Sequence, residues 1–260
     1  MSPKYPTRQL GRNGPVVSAI GFGTMGIGAF YGKTDKEEAL KTLTYAADRG
    51  VTFWDCADVY GNTEEVLGEW FKTTGRRSEI FLATKFGARD PDTPNNTARN
   101  SKPSYIRFAV ERSLKKLQID TIDLYYQHRV DPEVPIEVVM QTLGELVNEG
   151  KIRYIGLSEA SADTLRRAKA VPGVGDKLIA VQNEFGLFTL DVEKGDFMKA
   201  VEETGVSVVT YSPLNRGMAS GRYRSRADFD KDDLRLILPR FSEENFPKSL
   251  AVVDKLQAIA

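Results

Sequence analysis

Cysteine and histidine are nearly missing from this sequence, with one of each in 260 residues. A lone Cys56 rules out an internal disulfide framework, and no Cys/His cluster has the spacing of a zinc site. Net charge is missing too, since 36 Lys plus Arg balance 36 Asp plus Glu. No long-range field therefore draws the chain to nucleic acid, an anionic membrane or an acidic substrate. No apolar run approaches the ~18 residues of a membrane span, and the N-terminal MSPKYPTRQLG has no signal-like apolar core. The expectation is a soluble, cytoplasmic protein that holds no metal and partners neither nucleic acid nor membrane. Asn95-Asn96-Thr97 matches a glycosylation acceptor but reads, in that setting, as a polar loop.

What the sequence does have is alternation. Seven short runs rich in branched and aromatic residues recur at 19–25, 52–58, 80–86, 122–128, 153–158, 178–185 and 207–214. Stretches of helical period separate them, the pattern of repeated βα units, and most runs are apolar enough to be parallel strands covered by helices. Thr34 or Asp35 is positioned to cap a helix that stops at Gly50, and Pro135 opens one that stops at Gly150. Ahead of them, Asn13-Gly14 between two strand-like runs predicts an N-terminal hairpin.

Such alternation admits an open doubly wound sheet or a closed barrel. GFGTMG at 21–26 fits G-x-G-x-x-G, yet a dinucleotide turn needs its last glycine to open a helix straight after the strand. Here IGAFYGKTD follows, with no helical period until about residue 36, so the sequence favours a TM-free α/β fold of the TIM (β/α)8-barrel type. In that fold the carboxyl ends of the strands converge on one mouth.

Asp55, Lys85 and His128 each finish an inward row. By alternation Phe53 precedes Asp55, Phe81 and Ala83 precede Lys85, and Leu124 and Tyr126 precede His128. Tyr60 follows Asp55 by five residues, within reach of the same mouth. Singly, a strand-end Asp is a cap, a Lys snorkels and a lone His is a core residue. Together they solve one problem: a phenol with pKa near ~10 is a poor acid at neutral pH, and an adjacent ammonium favours its phenolate. A buried ammonium in turn needs a carboxylate, which Asp55 supplies.

These four residues, with GFGTMG, WDCADVYG, IGLSEAS and VVTYSPLNRG, resemble the aldo-keto reductase superfamily over nearly the whole chain. The QHR at 127–129 and NEGKIRYIGLSEAS are most similar to its microbial and plant aldose, pyridoxal and aryl-alcohol reductases. The resemblance implies a single barrel domain over 1–260 and NADPH-dependent reduction of an aldehyde or ketone without metal. It makes Tyr60 the general acid, tuned by Lys85 and Asp55, with His128 orienting the carbonyl. It also assigns cofactor contacts: Tyr211 against the nicotinamide, Ser158 and Gln182 on its carboxamide, and Gly23, Thr24 and Met25 by the ribose. Ser212, Leu214, Asn215 and Gly217 match the loop over the pyrophosphate. Glu159 and Asn215 depart from the Asn and Gly frequent at those places. The superfamily is also similar to potassium-channel β subunits, so a non-catalytic cofactor-binding module is the alternative, beside an inactive fragment.

Two long polar segments, 88–104 and 215–244, are expected to be structureless loops at the mouth. Arg216, Arg222, Arg224 and Arg226 in the second are candidates for an anionic ligand. No eighth strand run precedes Ala260, so the expected barrel lacks its eighth βα unit within these residues and binds its cofactor more weakly than a complete one.

Overall fold

The computed structural model describes residues 5–28, 30–31, 34–93 and 97–259; Asn95 and Asn96 of the acceptor motif lie outside them. The hairpin is there, β1 (Thr7–Gln9) pairing antiparallel with β2 (Val16–Ser18). Its turn is longer than an Asn-Gly turn: the left-handed residue is Gly11, and neither Asn13 nor Gly14 has positive φ.

Seven parallel strands follow, β3 (Gly21–Gly23), β4 (Phe53–Asp55), β5 (Phe81–Phe86), β6 (Ile122–Gln127), β7 (Ile152–Ser158), β8 (Leu178–Glu184) and β9 (Ser207–Tyr211). Each is bonded to the next, from β3 through to β9, in a nearly closed barrel. Six helices make the outer layer: α2 (Lys36–Asp48), α3 (Thr63–Thr74), α4 (Pro103–Leu117), α5 (Ile136–Asn148), α6 (Ala162–Lys169) and α7 (Phe197–Thr204). A one-turn α1 (Met25–Gly28) precedes them, and α8 (Phe246–Ile259) ends the described chain. The caps are those the sequence announces. Asp35 accepts from the Glu38 amide at 3.0 Å, and Gly50 and Gly150 take the left-handed backbone after α2 and α5.

Two apolar layers result. Phe53, Ala83, Leu124, Tyr126, Ile179 and Ala180 fill the barrel interior, with Leu10 and Val17 of the hairpin packed among them. The larger core lies between strands and helices and includes Trp54, Cys56, Leu82 and Tyr125. Cys56 therefore points to the helix layer, as alternation requires, and burial pushes its thiol up, out of nucleophile range. Between the outer edges of β3 and β9 runs a cleft of about 580 Å³, lined by Ile20, Gly21 and Gly23 on one side and by 207–213 on the other.

Backbone closeness inside the barrel is sharpest at Gly156 on β7, where an added Cβ would sit 2.3 Å from the Tyr126 ring. Gly156→Ala is expected to lose about 1–3 kcal/mol by overpacking, read as a lower denaturant midpoint at unchanged slope.

Two expectations are corrected. The run at 19–25 yields strand only over 21–23, because Thr24 turns the chain: its amide and hydroxyl both donate to the Asp55 carbonyl, at 2.9 and 2.8 Å, and α1 begins at Met25. The segment 215–244 is not structureless. It forms four 3-10 turns and, with α8, buries its own core of Met218, Phe229, Phe241, Phe246 and Val253. Arg235 is held there by Asp233 and stacked 4.5 Å from the Tyr223 and Phe229 rings, so a charge-rich stretch becomes an ordered strap. The Leu234 amide donates to the Phe30 carbonyl at 3.2 Å and ties the strap to the loop after β3.

Candidate active site

Parallel pairing sets the site. Asp55 is level with Ala83, and Lys85 with Tyr126, so Lys85 stands one inward step beyond Asp55 at the carboxyl end of the barrel. Lys85 is fully buried and its ammonium donates to the Asp55 carboxylate and, at 2.6 Å, to the Cys56 carbonyl. The other Asp55 oxygen accepts from Gln182 Nε2 at 2.8 Å, across the barrel from β8. After β4 the backbone keeps pace with its neighbour: the Cys56 amide donates to Ala83 and the Asp58 amide to Lys85. Tyr60 then turns back on its own amide, which donates to the Ala57 carbonyl at 3.1 Å.

That turn brings the phenol over the ion pair. The Tyr60 ring centre lies 5.1 Å from Lys85 Nζ, and its ring meets His128 edge-on at 5.9 Å and Phe30 at 6.2 Å. All four predicted residues thus converge, although Lys85 stays behind Tyr60 rather than on the cavity wall.

The electrostatics differ from expectation in one respect. Burial raises the Tyr60 phenol and outweighs Lys85, which pulls it down, so the net shift is upward rather than toward phenolate. Burial pushes Lys85 down, but Asp55 and then Tyr60 more than offset it, and the ammonium is held charged. Burial, with Lys85 and Arg129, drives His128 well below the usual histidine range, so its imidazole is neutral, and its Nδ1 is buried without a partner.

These groups edge a cavity of about 730 Å³. Gly23, Thr24, Met25, Ser158, Gln182, Tyr211, Ser212, Leu214 and Gly217 all line it, and Asn215 does not. Asn215 is fully buried, and neither end of its amide has a partner. Both departures from the family pattern sit in left-handed backbone, φ 55° at Glu159 and 51° at Asn215. Asn tolerates that region locally. Glu159 is held there by accepting the Glu184 amide at 3.0 Å. Of the four loop arginines only Arg216 lines the cavity, donating to the Tyr31 hydroxyl at 3.0 Å. Arg224 pairs with Asp254, Arg226 donates to the Phe241 carbonyl and Arg222 lies over Tyr223.

Comparison with known proteins settles the family. The sequence pattern of the Aldo/keto reductase family matches residues 19–260. This chain belongs to the aldo/keto reductase family. It is 50% identical over 260 residues to aldo-keto reductase yakc [NADP(+)] of Schizosaccharomyces pombe, covering 98% of this chain and 74% of that one. It is 46% identical over 262 residues to aldo-keto reductase str7 of Strobilurus tenacellus, with the same shares covered. Among solved structures, the glycerol dehydrogenase AKR11B4 of Gluconobacter oxydans superposes with a TM-score of 0.83 at 32% identity, over 98% of this chain and 77% of that one. The holo form of aldo-keto reductase AKR11C1 from Bacillus halodurans gives 0.75 at 31%, over 85% and 71%.

Within this aldo/keto reductase the sequence reading left out Phe30, Tyr31, Val59, Arg129, Tyr223 and Leu234, all of which line the cavity. Arg129 adjoins His128, and its guanidinium donates to the His128 carbonyl at 2.7 Å and to Ser158 Oγ at 3.3 Å. Adjacency to His128 was the available signal. The aromatics of the strap carried none, since only the fold brings them to the mouth.

Proposed function

We propose that the protein is an NADPH-dependent carbonyl reductase that converts an aldehyde or ketone to an alcohol. Family membership makes it an NAD(P)H-dependent oxidoreductase. The observation that carries the finer reading is the buried Lys85–Asp55 pair lying beneath Tyr60, with neutral His128 beside it on one cavity wall. The cavity fits a dinucleotide: a Cβ at Gly23 would meet nothing within 4 Å, so the backbone there can be approached closely, and Tyr211 offers a flat face beside Ser158 and Gln182. NADPH, when bound, supplies the hydride.

The chain's own residues manage the proton and the carbonyl. Tyr60 gives its O–H proton to the substrate oxygen, and the phenolate left behind is stabilised by the Lys85 ammonium. Asp55 keeps that ammonium charged and aimed, with Gln182 steadying the carboxylate from the far side. His128 stays neutral, so one ring nitrogen donates to the carbonyl oxygen and polarises it. The raised phenol pKa suits reduction, because the form needed at neutral pH is the protonated one.

The test is a panel of aromatic aldehydes, sugars and pyridoxal followed by NADPH oxidation. Activity that needs protonated Tyr60 and neutral His128 is expected to be level through neutral pH. It should fall on the alkaline side only above the ordinary tyrosine value of about 10, and on the acid side only below the ordinary histidine value of about 6.5. An alkaline limb centred near pH 8 would contradict the assignment.

A further inference from the structure

Behind the ion pair, on the helix side of the barrel, one guanidinium gathers three carboxylates. Arg112, on α4 and 9% exposed, donates from Nη2 to Asp58 at 3.0 Å and from Nη1 to Asp90 at 3.0 Å and Asp92 at 2.6 Å. It lies 5.2 Å from the Phe108 ring centre and has the Tyr105 hydroxyl 3.5 Å away. The carboxylates come from two segments. Asp58 belongs to the turn from Asp55 to Tyr60, with its amide on the Lys85 carbonyl. Asp90 and Asp92 belong to the loop after β5, whose Ala88 lines the cavity.

We propose that Arg112 is a positioning residue for carbonyl reduction: through Asp58 it sets the Tyr60 turn against Lys85, and through Asp90 and Asp92 it sets the loop that walls the cavity. The inference rests on the reading of Tyr60 as proton donor. The geometry makes the Asp58 arm the stiffer one. Asp58 is 1% exposed, its Oδ1 has no partner, and Arg112 is its one ion-pair partner among the described residues. The carboxylate cannot leave that guanidinium without being buried alone. Burial, and then the buried acid Glu64 held by Thr84 Oγ1 at 2.8 Å, push the Asp58 carboxyl up to about 8, and the Arg112 guanidinium is what pulls it back toward the charged form. The loop arm is softer, since Asp92 is 53% exposed and screened by water.

The two arms predict different kinetics. Asp58→Asn keeps the shape but weakens the bond, and a displaced proton donor lowers kcat by about tenfold with KM nearly unchanged. Asp90→Asn with Asp92→Asn frees the loop and raises KM for the aldehyde several-fold, with kcat within about twofold of the parent. Arg112→Lys cannot span all three carboxylates, because an ammonium lacks the planar fork. It should lower kcat and raise KM together, less severely than Arg112→Met.

Amide hydrogen exchange supplies a readout independent of turnover: residues 87–93 should exchange faster in Arg112→Lys and in the double Asn variant, and residues 58–61 faster in Arg112→Lys and Asp58→Asn. Arg112→Met is the variant most exposed to misfolding, and the other three keep the test decisive. Wild-type kinetics and exchange in folded Arg112→Lys would overturn the proposal, leaving Arg112 a structural ion pair. If the parent protein reduces no aldehyde, exchange alone decides. Faster exchange then supports the clasp while the role given to Tyr60 falls, and unchanged exchange overturns it.

Discussion

Tyr60→Phe is expected to yield a folded protein that binds NADPH as the parent does and reduces aldehydes about 10²–10⁴-fold more slowly. The substitution removes one oxygen from a ring already packed edge-on against His128 and Phe30, so the apolar contacts survive. What is lost is the phenol that both lies over the Lys85–Asp55 pair and lines the cavity, and with it the proton for the carbonyl oxygen. Cofactor fluorescence should titrate with a dissociation constant within about threefold of the parent, since uniform binding is untouched. Retained turnover at more than a tenth of the parent rate would remove Tyr60 from the mechanism.

The second large effect concerns folding and is asymmetric. Asp55→Ala leaves the Lys85 ammonium fully buried against the Cys56 carbonyl and the Tyr60 and Tyr126 rings with no carboxylate paired to it, and such an uncompensated charge costs about 3–5 kcal/mol. Lys85→Met keeps the volume and removes the charge. It leaves Asp55, 19% exposed at the cavity and still bonded to Gln182, in a tolerable place. Urea unfolding should therefore show the Asp55 variant losing clearly more stability than the Lys85 variant. Both should lose activity, since each breaks the partner that stabilises the Tyr60 phenolate. Equal destabilisation would mean that the pair is not held as described.

Asp55, Lys85 and His128 were legible because strands alternate: Phe53 and Asp55, then Ala83 and Lys85, share an inward face by period alone, and the barrel interior contains those apolar partners, while Tyr60 was placed by following Asp55 by five residues. Helix ends were legible for a similarly local reason, a capping Asp35 and glycines that take positive φ. The strap at 215–244 was not. Its order depends on Arg235 lying among Tyr223 and Phe229 of the strap and Tyr31 from the loop after β3, a contact only the fold brings about. A string of charges looks the same whether it is solvated or buried among rings.

The sign of the Tyr60 shift was misjudged for a related reason. Adjacency to Lys85 predicts a lowered phenol, but the burial that outweighs it is a property of the assembled site. By itself, then, the sequence determined which faces the strand side chains take and where α2 and α5 stop, because those follow from local period and backbone preference. Only the tertiary structure decided that Gln182 reaches Asp55 from 127 residues away, that Arg112 joins two distant segments, and how strongly each charge is desolvated. Distance across a barrel and exclusion of water arise from packing, and no short window of sequence contains them.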